Sequence, residues 1–218
     1  IYGYGLFAIT NSTISGNSAG GNGGGILGAS FPEGQLTNVT ITGNTADSDG
    51  NGIGDGGGIF RLVYMLRLRN TIVAANTDTG GEAPDCGQQL ISDGNSLIQD
   101  LTGCELFGDT ANDVYGLDPV LGPLADNGGG TLTHALLPGS PAIESGTNNG
   151  CPPRDQRGVA RPQGSTCDIG AFEGEGGGTA PTATSTPTPS STPTETSTPT
   201  ETSTATPSAT ATPTDTAT

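Results

Sequence analysis

Short runs of alternating hydrophobic and polar residues, separated by glycine and asparagine, fill the N-terminal half of the chain. Three segments share one order of residue types, and they lie at 10–17, 37–44 and 69–76. Each segment has an Asn at its second position and another Asn six residues later. A Gly-rich run that ends in an aliphatic residue follows each of the first two. This pattern indicates an internal repeat of strands and turns without a helical period.

The repeat interval is 27 residues from Asn11 to Asn38 and 32 residues from Asn38 to Asn70. A helix-free repeat of this length is typical of a solenoid whose successive turns add strands to stacked parallel sheets. We therefore predict an all-β fold, a right-handed parallel β-helix over residues 1–116. Asn tolerates a left-handed backbone, and its amide can bond the equivalent amide of the next repeat. Asn11, Asn38 and Asn70 are accordingly predicted to form a ladder at one turn.

The same alignment predicts which side chains point inward. Ile14, Ile41 and Val73 occupy equivalent positions and should stack in the interior. Segment 59–69 alternates with the period of two that is typical of a strand. Its two predicted faces are Leu62, Tyr64, Leu66 and Leu68 on one side, and Arg61, Val63, Met65, Arg67 and Arg69 on the other. The arginine row is either a binding site for an acidic sugar or a solvated face balanced by nearby carboxylates, and the second interpretation is favoured.

Composition and charge narrow the functional classes. The chain contains 38 Gly, and its 22 acidic and 6 basic residues give a formal net charge of -16. A surface of this sign repels nucleic acid and anionic lipid. We therefore predict no nucleic-acid partner, and no apolar run has the length of a membrane span. His134 is the only histidine, and a structural hydrogen-bonding role is favoured for it over a place in a catalytic triad.

The four cysteines fall into two close pairs within loop-rich segments. Four cysteines allow three connectivities. The sequential pattern, Cys86 with Cys104 and Cys151 with Cys167, is favoured because it closes two short local loops. Such disulfides predict an oxidising, extracytoplasmic environment. The interval 85–103 within the first cysteine loop is interpreted as a last, altered repeat.

One acidic loop has the spacing of a calcium-binding loop. Asp47, Asp49, Asn51 and Asp55 place oxygen side chains at its first, third, fifth and ninth positions, with Gly52 at the sixth. The twelfth position, where an EF-hand has a bidentate Glu, is a glycine. Calcium is the one cofactor that the sequence suggests, and the alternative is an acidic loop inserted between repeats without a metal.

The C-terminal third contains a set of linked motifs. They lie at 117–124 (LDPVLGPL), 126–129 (DNGG), 133–143 (THALLPGSPAI), 155–158 (DQRG) and 167–173 (CDIGAFE). Together these motifs resemble the bacterial choice-of-anchor Q domain family. The resemblance implies the C-terminal β-helix region of large secreted proteins that precede surface-sorting signals, and it implies no defined enzyme activity. Residues 117–173 are therefore expected to form a disulfide-bonded C-terminal cap.

Residues 174–218 are a Gly run followed by Thr, Ser, Pro and Ala. Such a composition cannot bury enough apolar surface to offset the entropy of ordering the chain. We predict a disordered or extended stalk, with a bare flexible linker as the alternative to a glycosylated one. Its candidate O-glycosylation sites are Thr182, Thr184, Thr186, Thr192, Thr194 and Thr198.

These features lead to one functional hypothesis and two alternatives. The first is a noncatalytic, adhesin-like structural module on the outside of a bacterial cell, with an unknown surface or glycan partner. The second is a carbohydrate-binding or polysaccharide-degrading β-helix whose active repeats lie upstream. The third is a subunit of an extracellular fibre that associates through an open β-helix edge. Because Ile1 is not an initiator Met, the chain is expected to be a fragment of a larger secreted protein.

Overall fold

The computed structural model describes residues 1–3, 7–28, 33–63 and 65–175 of the 218-residue chain. Within the described residues all regular secondary structure is β-strand, which confirms the predicted all-β class. The strands are β1 (Tyr2–Gly3), β2 (Phe7–Ser15), β3 (Ile26–Gly28), β4 (Glu33–Thr42), β5 (Thr45–Ala46), β6 (Ile59–Arg61), β7 (Met65–Arg69), β8 (Ile72–Ala74), β9 (Thr77–Asp78), β10 (Cys86–Asp93), β11 (Leu97–Ile98), β12 (Cys104–Asp109), β13 (Val114–Tyr115), β14 (Leu121–Ala125) and β15 (Thr133–Leu136).

Nearly all strand pairs are parallel, and each strand pairs with its equivalent in the next repeat. One row contains β1, β3, β6 and the start of β10. A second row contains the first half of β2, the first half of β4, then β7, the rest of β10, and β12. A third row contains the second halves of β2 and β4, then β8, β11 and β13. Within the third row Ile14 lies opposite Ile41, and Ile41 lies opposite Val73.

A left-handed Asn lies between the second row and the third in four successive repeats. Asn11, Asn38 and Asn70 have φ values of 47°, 53° and 47°, and Asn95 has a φ of 57°. A residue with positive φ redirects the strand, and Asn reaches this region with less strain than most residues because its side chain bonds locally. Asn95 lies in the interval predicted as an altered repeat, so that interval continues the same turn.

The space between the rows is filled by aliphatic side chains. Ile14 is 6% exposed, and Ile41 and Val73 are fully buried. The Gly-rich runs let neighbouring repeats approach closely, since a Cβ atom at Gly25 would lie 2.7 Å from the carbonyl oxygen of Gly58. The core cluster of these repeats is Ile14, Ile26, Leu36, Val39, Ile41, Ile59, Leu66, Leu68, Val73, Cys86, Leu90 and Ile98.

The predicted faces of segment 59–69 are correct only in its second part. Leu66 and Leu68 are buried, as predicted, and they alternate with outward residues along β7. Leu62 is 53% exposed, so its predicted inward position is wrong. The reason is that β6 ends at Arg61 and a bend follows, which interrupts the alternation before β7 begins. Tyr64 lies outside the described residues.

Residues 117–173, called the flanking segment below, contain one antiparallel pair and otherwise irregular chain. Strands β14 and β15 form this pair. The flanking segment packs against the outer side of the third row through a second apolar cluster, whose buried members are Ile72, Ala74, Leu97, Ala135, Leu136, Ala142, Ile169 and Phe172. The antiparallel pair and the irregular chain thus lie beside strands β8 and β11.

Candidate functional site

A row of side-chain amides connects the second Asn of successive repeats. Nδ2 of Asn17 donates to Oδ1 of Asn44 at 2.8 Å, and Nδ2 of Asn44 donates to Oδ1 of Asn76 at 2.9 Å. Nδ2 of Asn76 donates to Oδ1 of Asp85 at 2.9 Å. The row therefore runs in one direction and ends on a carboxylate, which can only accept when ionised. Burial raises the pKa of Asp85, and the hydrogen bonds from Asn76 oppose this shift.

The amides of the first Asn row face the flanking segment instead of forming a continuous ladder. Within the predicted ladder one amide pair bonds directly, Nδ2 of Asn70 to Oδ1 of Asn38 at 3.3 Å. The other amide bonds cross to carbonyl oxygens of the flanking segment. They are Asn11 to Arg154 at 2.6 Å, Asn38 to Asp168 at 3.0 Å and to Gly170 at 3.3 Å, Asn70 to Thr147 at 2.9 Å, and Asn95 to Ser145 at 2.8 Å.

These bonds locate the flanking segment along the side of four successive repeats. The flanking segment thus reaches the repeat of Asn11 as well as the repeat of Asn95. The contact with the first repeat includes two further bonds. Thr13 donates to Oε1 of Gln156 at 2.7 Å, and the Ser15 hydroxyl lies 2.9 Å from Nε2 of His134. The segment acts as a lateral brace, because it is bonded to every repeat that carries a left-handed Asn.

Both nitrogens of the His134 ring are used in this contact. Nδ1 lies 2.8 Å from the carbonyl oxygen of Gly122, and a carbonyl can only accept, so Nδ1 carries the proton in this bond. In this tautomer Nε2 accepts from the hydroxyl of Ser15. His134 thereby links strand β14 to the end of strand β2.

A buried ion network holds the flanking segment together. Arg161 pairs with Glu173 at 2.7 Å, and both side chains are fully buried. Burial lowers the pKa of Arg161, and the nearby negative charges oppose this shift. Burial also raises the pKa of Asp168 to about 6. Arg157 pairs with Asp155 at 2.8 Å and lies 3.4 Å above the ring of Phe172.

The carbonyl oxygens of Asp168 and Gly170 connect this network to the repeats. Arg161 donates to the first at 3.0 Å and to the second at 2.7 Å. Asn38 donates to the same two oxygens from the side of the repeats. The Arg161 guanidinium therefore fixes two acceptors on which a buried Asn of the second repeat depends.

Both disulfides form with the predicted sequential connectivity. Cys86 is bonded to Cys104 with a Cα separation of 5.3 Å, and Cys151 is bonded to Cys167 with a Cα separation of 6.7 Å. Free cysteines are absent. The first bond connects β10 to the start of β12, and the second closes a loop of the flanking segment. In the chain-entropy model each loop of about this length contributes about 3 kcal/mol.

The residues of the predicted calcium loop do not surround one point. Asp47 is buried, and its carboxylate accepts the backbone N–H groups of Asn51 at 3.0 Å and Gly52 at 3.1 Å. The amide of Asn51 donates to Oδ2 of Asp49 at 2.9 Å. The carboxylates of Asp47, Asp49 and Asp55 do not form a cluster within 4.8 Å of one another. The first three positions therefore form a loop closed by its own hydrogen bonds.

Asp55 instead contributes to an acidic cluster with residues of the next repeat. One carboxylate oxygen from each of Asp55, Asp78 and Glu82 lies within 4.8 Å of the other two. The carboxylate of the buried Asp78 accepts three backbone N–H groups, those of Gly80, Glu82 and Ala83. This fixes the Asp78 carboxylate beside the other two, and converging carboxylates are ligands that hard divalent cations prefer.

The arginine row divides into paired and unpaired members. Arg67 bonds Asp93 and also lies 3.4 Å from Glu33, and Arg69 lies 3.7 Å from Asp93. The favoured interpretation, an outer face balanced by carboxylates, describes these two residues. Arg61 has no ion pair within the described residues. Nε of Arg61 is buried without a hydrogen-bond partner.

The six candidate O-glycosylation threonines lie outside the described residues. In the part of the chain that the structure covers, no helix has the length and apolar character that crossing a membrane requires.

Comparison with protein-family models, with curated proteins and with solved structures finds no match to this chain.

Proposed function

We propose that this chain is a noncatalytic, adhesin-like structural module on the outside of a bacterial cell. In this proposal the parallel rows are the turns of a right-handed β-helix, and residues 117–173 belong to the choice-of-anchor Q family that their motifs resemble. The observation that carries the proposal is the bonding of the flanking segment to four successive repeats, from Asn11 to Asn95. A segment bonded in this way makes the repeats rigid, and rigidity is what a display module needs.

The use of the reactive side chains supports a structural role. His134, Arg157 and Arg161 are the groups most suited to proton transfer or anion binding in the flanking segment. His134 is engaged at both ring nitrogens, and each of the two arginines is paired with a buried carboxylate. The two disulfides are compatible with an oxidising compartment outside the cytoplasm.

Two measurements test this proposal. Protease treatment of intact cells should release peptides of the chain, as expected for a surface protein. The purified 218-residue chain should release no reducing ends and no unsaturated sugars from a panel of neutral and acidic polysaccharides. Cleavage of any polysaccharide by the purified protein would contradict the noncatalytic role. Complete protection of the protein from protease in intact cells would contradict surface display.

A second candidate function, calcium binding, is favoured by the cluster of Asp55, Asp78 and Glu82. Three carboxylates supply only part of the six to eight oxygens that Ca²⁺ takes, so backbone oxygens and water would complete the shell. A site of this kind suits the millimolar calcium of extracellular environments, with a Kd of about 10⁻⁴ to 10⁻³ M.

We expect the melting temperature to be several degrees higher in Ca²⁺ at about 5 mM, roughly five times the upper Kd, than in the presence of a chelator. Asp55→Asn should abolish the shift because it removes one charged ligand of the cluster. Asp49→Asn is the matched control, since Asp49 is an exposed member of the predicted loop and lies outside the cluster. A calcium shift that Asp49→Asn removes and Asp55→Asn retains would assign the ion to the loop instead.

A further inference from the structure

An open groove lies on the outward side of the second row of strands. Its volume is about 250 Å³, and Arg61, Met65, Gln89, Ile91 and Phe107 line it. The strand register brings these residues together, because Ile91 of β10 lies opposite Phe107 of β12. This volume is just below the ~300–1,000 Å³ range of small-molecule sites, so the groove suits one or two rings.

The walls of the groove are unusually apolar for an outer sheet face of an acidic protein. Met65 is 55% exposed and Phe107 is 47% exposed. Leu62 and Val63, which follow Arg61 in the chain, are exposed as well. Contiguous exposed apolar side chains mark interaction sites more often than isolated ones do. Phe107 contributes the one aromatic ring among the residues that line the groove.

The polar groups of the groove specify the charge of that ligand. Nε of Arg61 is buried without a hydrogen-bond partner, and a buried donor without an acceptor is costly. Arg61 also forms no ion pair within the described residues, and a guanidinium donates to a carboxylate through two parallel N–H groups. Gln89 adds an amide at the groove wall, and its Nε2 donates to Glu105 at 3.0 Å. The Gln89 carbonyl oxygen remains available to accept from a hydroxyl group.

We propose that this groove binds a uronic acid residue of an acidic polysaccharide. The sugar carboxylate accepts from Arg61, the C–H face of the pyranose ring packs on Phe107, and a ring hydroxyl donates to Gln89. A purely apolar partner would leave the Arg61 donor unsatisfied. A densely charged polyanion is disfavoured by the formal net charge of -16, so uronic acids spaced by neutral sugars fit best.

Cellobiouronic acid and cellobiose are suitable probes because they differ only in one carboxylate. Titration of the 218-residue chain, with chelator present to exclude calcium bridging, should show cellobiouronic acid binding about tenfold or more tightly than cellobiose. Arg61→Gln should remove this preference, and Phe107→Leu should weaken binding of cellobiouronic acid by about fivefold, since it keeps apolar volume but removes the ring face. Arg154→Gln, the loss of an exposed arginine elsewhere, should leave binding unchanged.

Melting temperatures establish which variants are folded. If Arg61→Gln unfolds, Phe107→Leu still tests the groove, because Phe107 is half-exposed and its replacement should leave the fold intact. The proposal is overturned by the absence of binding, by equal binding of the two disaccharides, or by full binding in folded Arg61→Gln. Binding of cyclohexanecarboxylate as tightly as cellobiouronic acid would overturn the assignment to a sugar. The groove is independent of surface display, which protease treatment of intact cells tests separately.

Discussion

Replacing Asn44 by Leu is expected to lower the free energy of unfolding by about 3–5 kcal/mol, a large part of the stability of an ordinary domain. Asn44 is fully buried, and its Nδ2 donates to the carbonyl oxygens of Ile14 and Thr42 as well as to Asn76. Its Oδ1 accepts both the backbone and the side-chain N–H of Asn17. Leu has a similar volume but satisfies none of these groups.

Urea unfolding at neutral pH measures this effect, with the midpoints compared at constant slope. Asn17→Ala is the matched control, because Asn17 is the exposed end of the same row and water can replace its bonds. Its expected cost is about 0.5–1.5 kcal/mol. Asn44→Asp separates acceptor from donor, since it keeps an oxygen to which Asn17 can donate and loses both N–H donors of the amide, which contact three acceptors. A cost for Asn44→Leu no larger than that of Asn17→Ala would contradict the structural importance of the amide row.

The register of the repeats was predictable from the sequence because an aligned spacing fixes it directly. Two Asn residues six positions apart mark each repeat, and the apolar residues between them follow in phase. For this reason Ile14, Ile41 and Val73 lie opposite one another as predicted. A slip of one residue would turn these side chains outward, so the aliphatic pattern and the turn positions support the same register.

The partners of the Asn side chains were not predictable in the same way. Both Asn positions recur at fixed spacing, and the spacing alone predicts a ladder at the first of them. The structure has the continuous row at the second position, from Asn17 to Asp85, and directs the first position to the flanking segment. Whether the Asn amides of one position bond to the equivalent amides of the next repeat depends on where residues 117–173 pack. No local sequence pattern contains that information.

The acidic cluster illustrates the same gap between local and long-range information. A run of Asp and Asn with loop spacing predicts a metal site within one loop, and in the structure the Asp47 carboxylate accepts backbone N–H groups of that loop. The cluster combines Asp55 with Asp78 and Glu82 from the next repeat. One signal could have found part of it, since Ile59 lies opposite Cys86, and counting back four residues from each places Asp55 beside Glu82.

Arg161→Met is expected to lower the free energy of unfolding at pH 7 by about 3–5 kcal/mol, because it leaves the fully buried Glu173 carboxylate without its cation. The substitution also removes two donations to the carbonyl oxygens on which Asn38 depends. Arg154→Met is the control, since Arg154 is exposed and its loss should change stability by no more than about 0.5 kcal/mol.

This loss of stability should depend on pH through Asp168. The pKa of Asp168 in the folded protein, about 6, lies above the value of about 3.9 that is typical of an unfolded chain. The folded state therefore binds the proton more tightly, and this contribution to stability is complete below about pH 4 and is lost as the pH rises through about 6. The charge of Arg161 lowers the pKa of Asp168 and so limits the loss. Without Arg161 the loss between pH 4 and pH 7 should be larger.

The measurement is the difference in unfolding free energy between the natural chain and Arg161→Met at about pH 4 and about pH 7, the values between which the Asp168 contribution is lost. We expect the larger difference at pH 7. The double variant Arg161→Met, Glu173→Gln separates charge from packing, since it removes the uncompensated carboxylate while one side-chain oxygen still accepts from Asp168 or Gln163. If the ion pair matters mainly by neutralising Glu173, the double variant should regain part of the lost stability at pH 7. A double variant as unstable as the single one, with a pH-independent difference, would assign the role of Arg161 to its packing and carbonyl bonds instead.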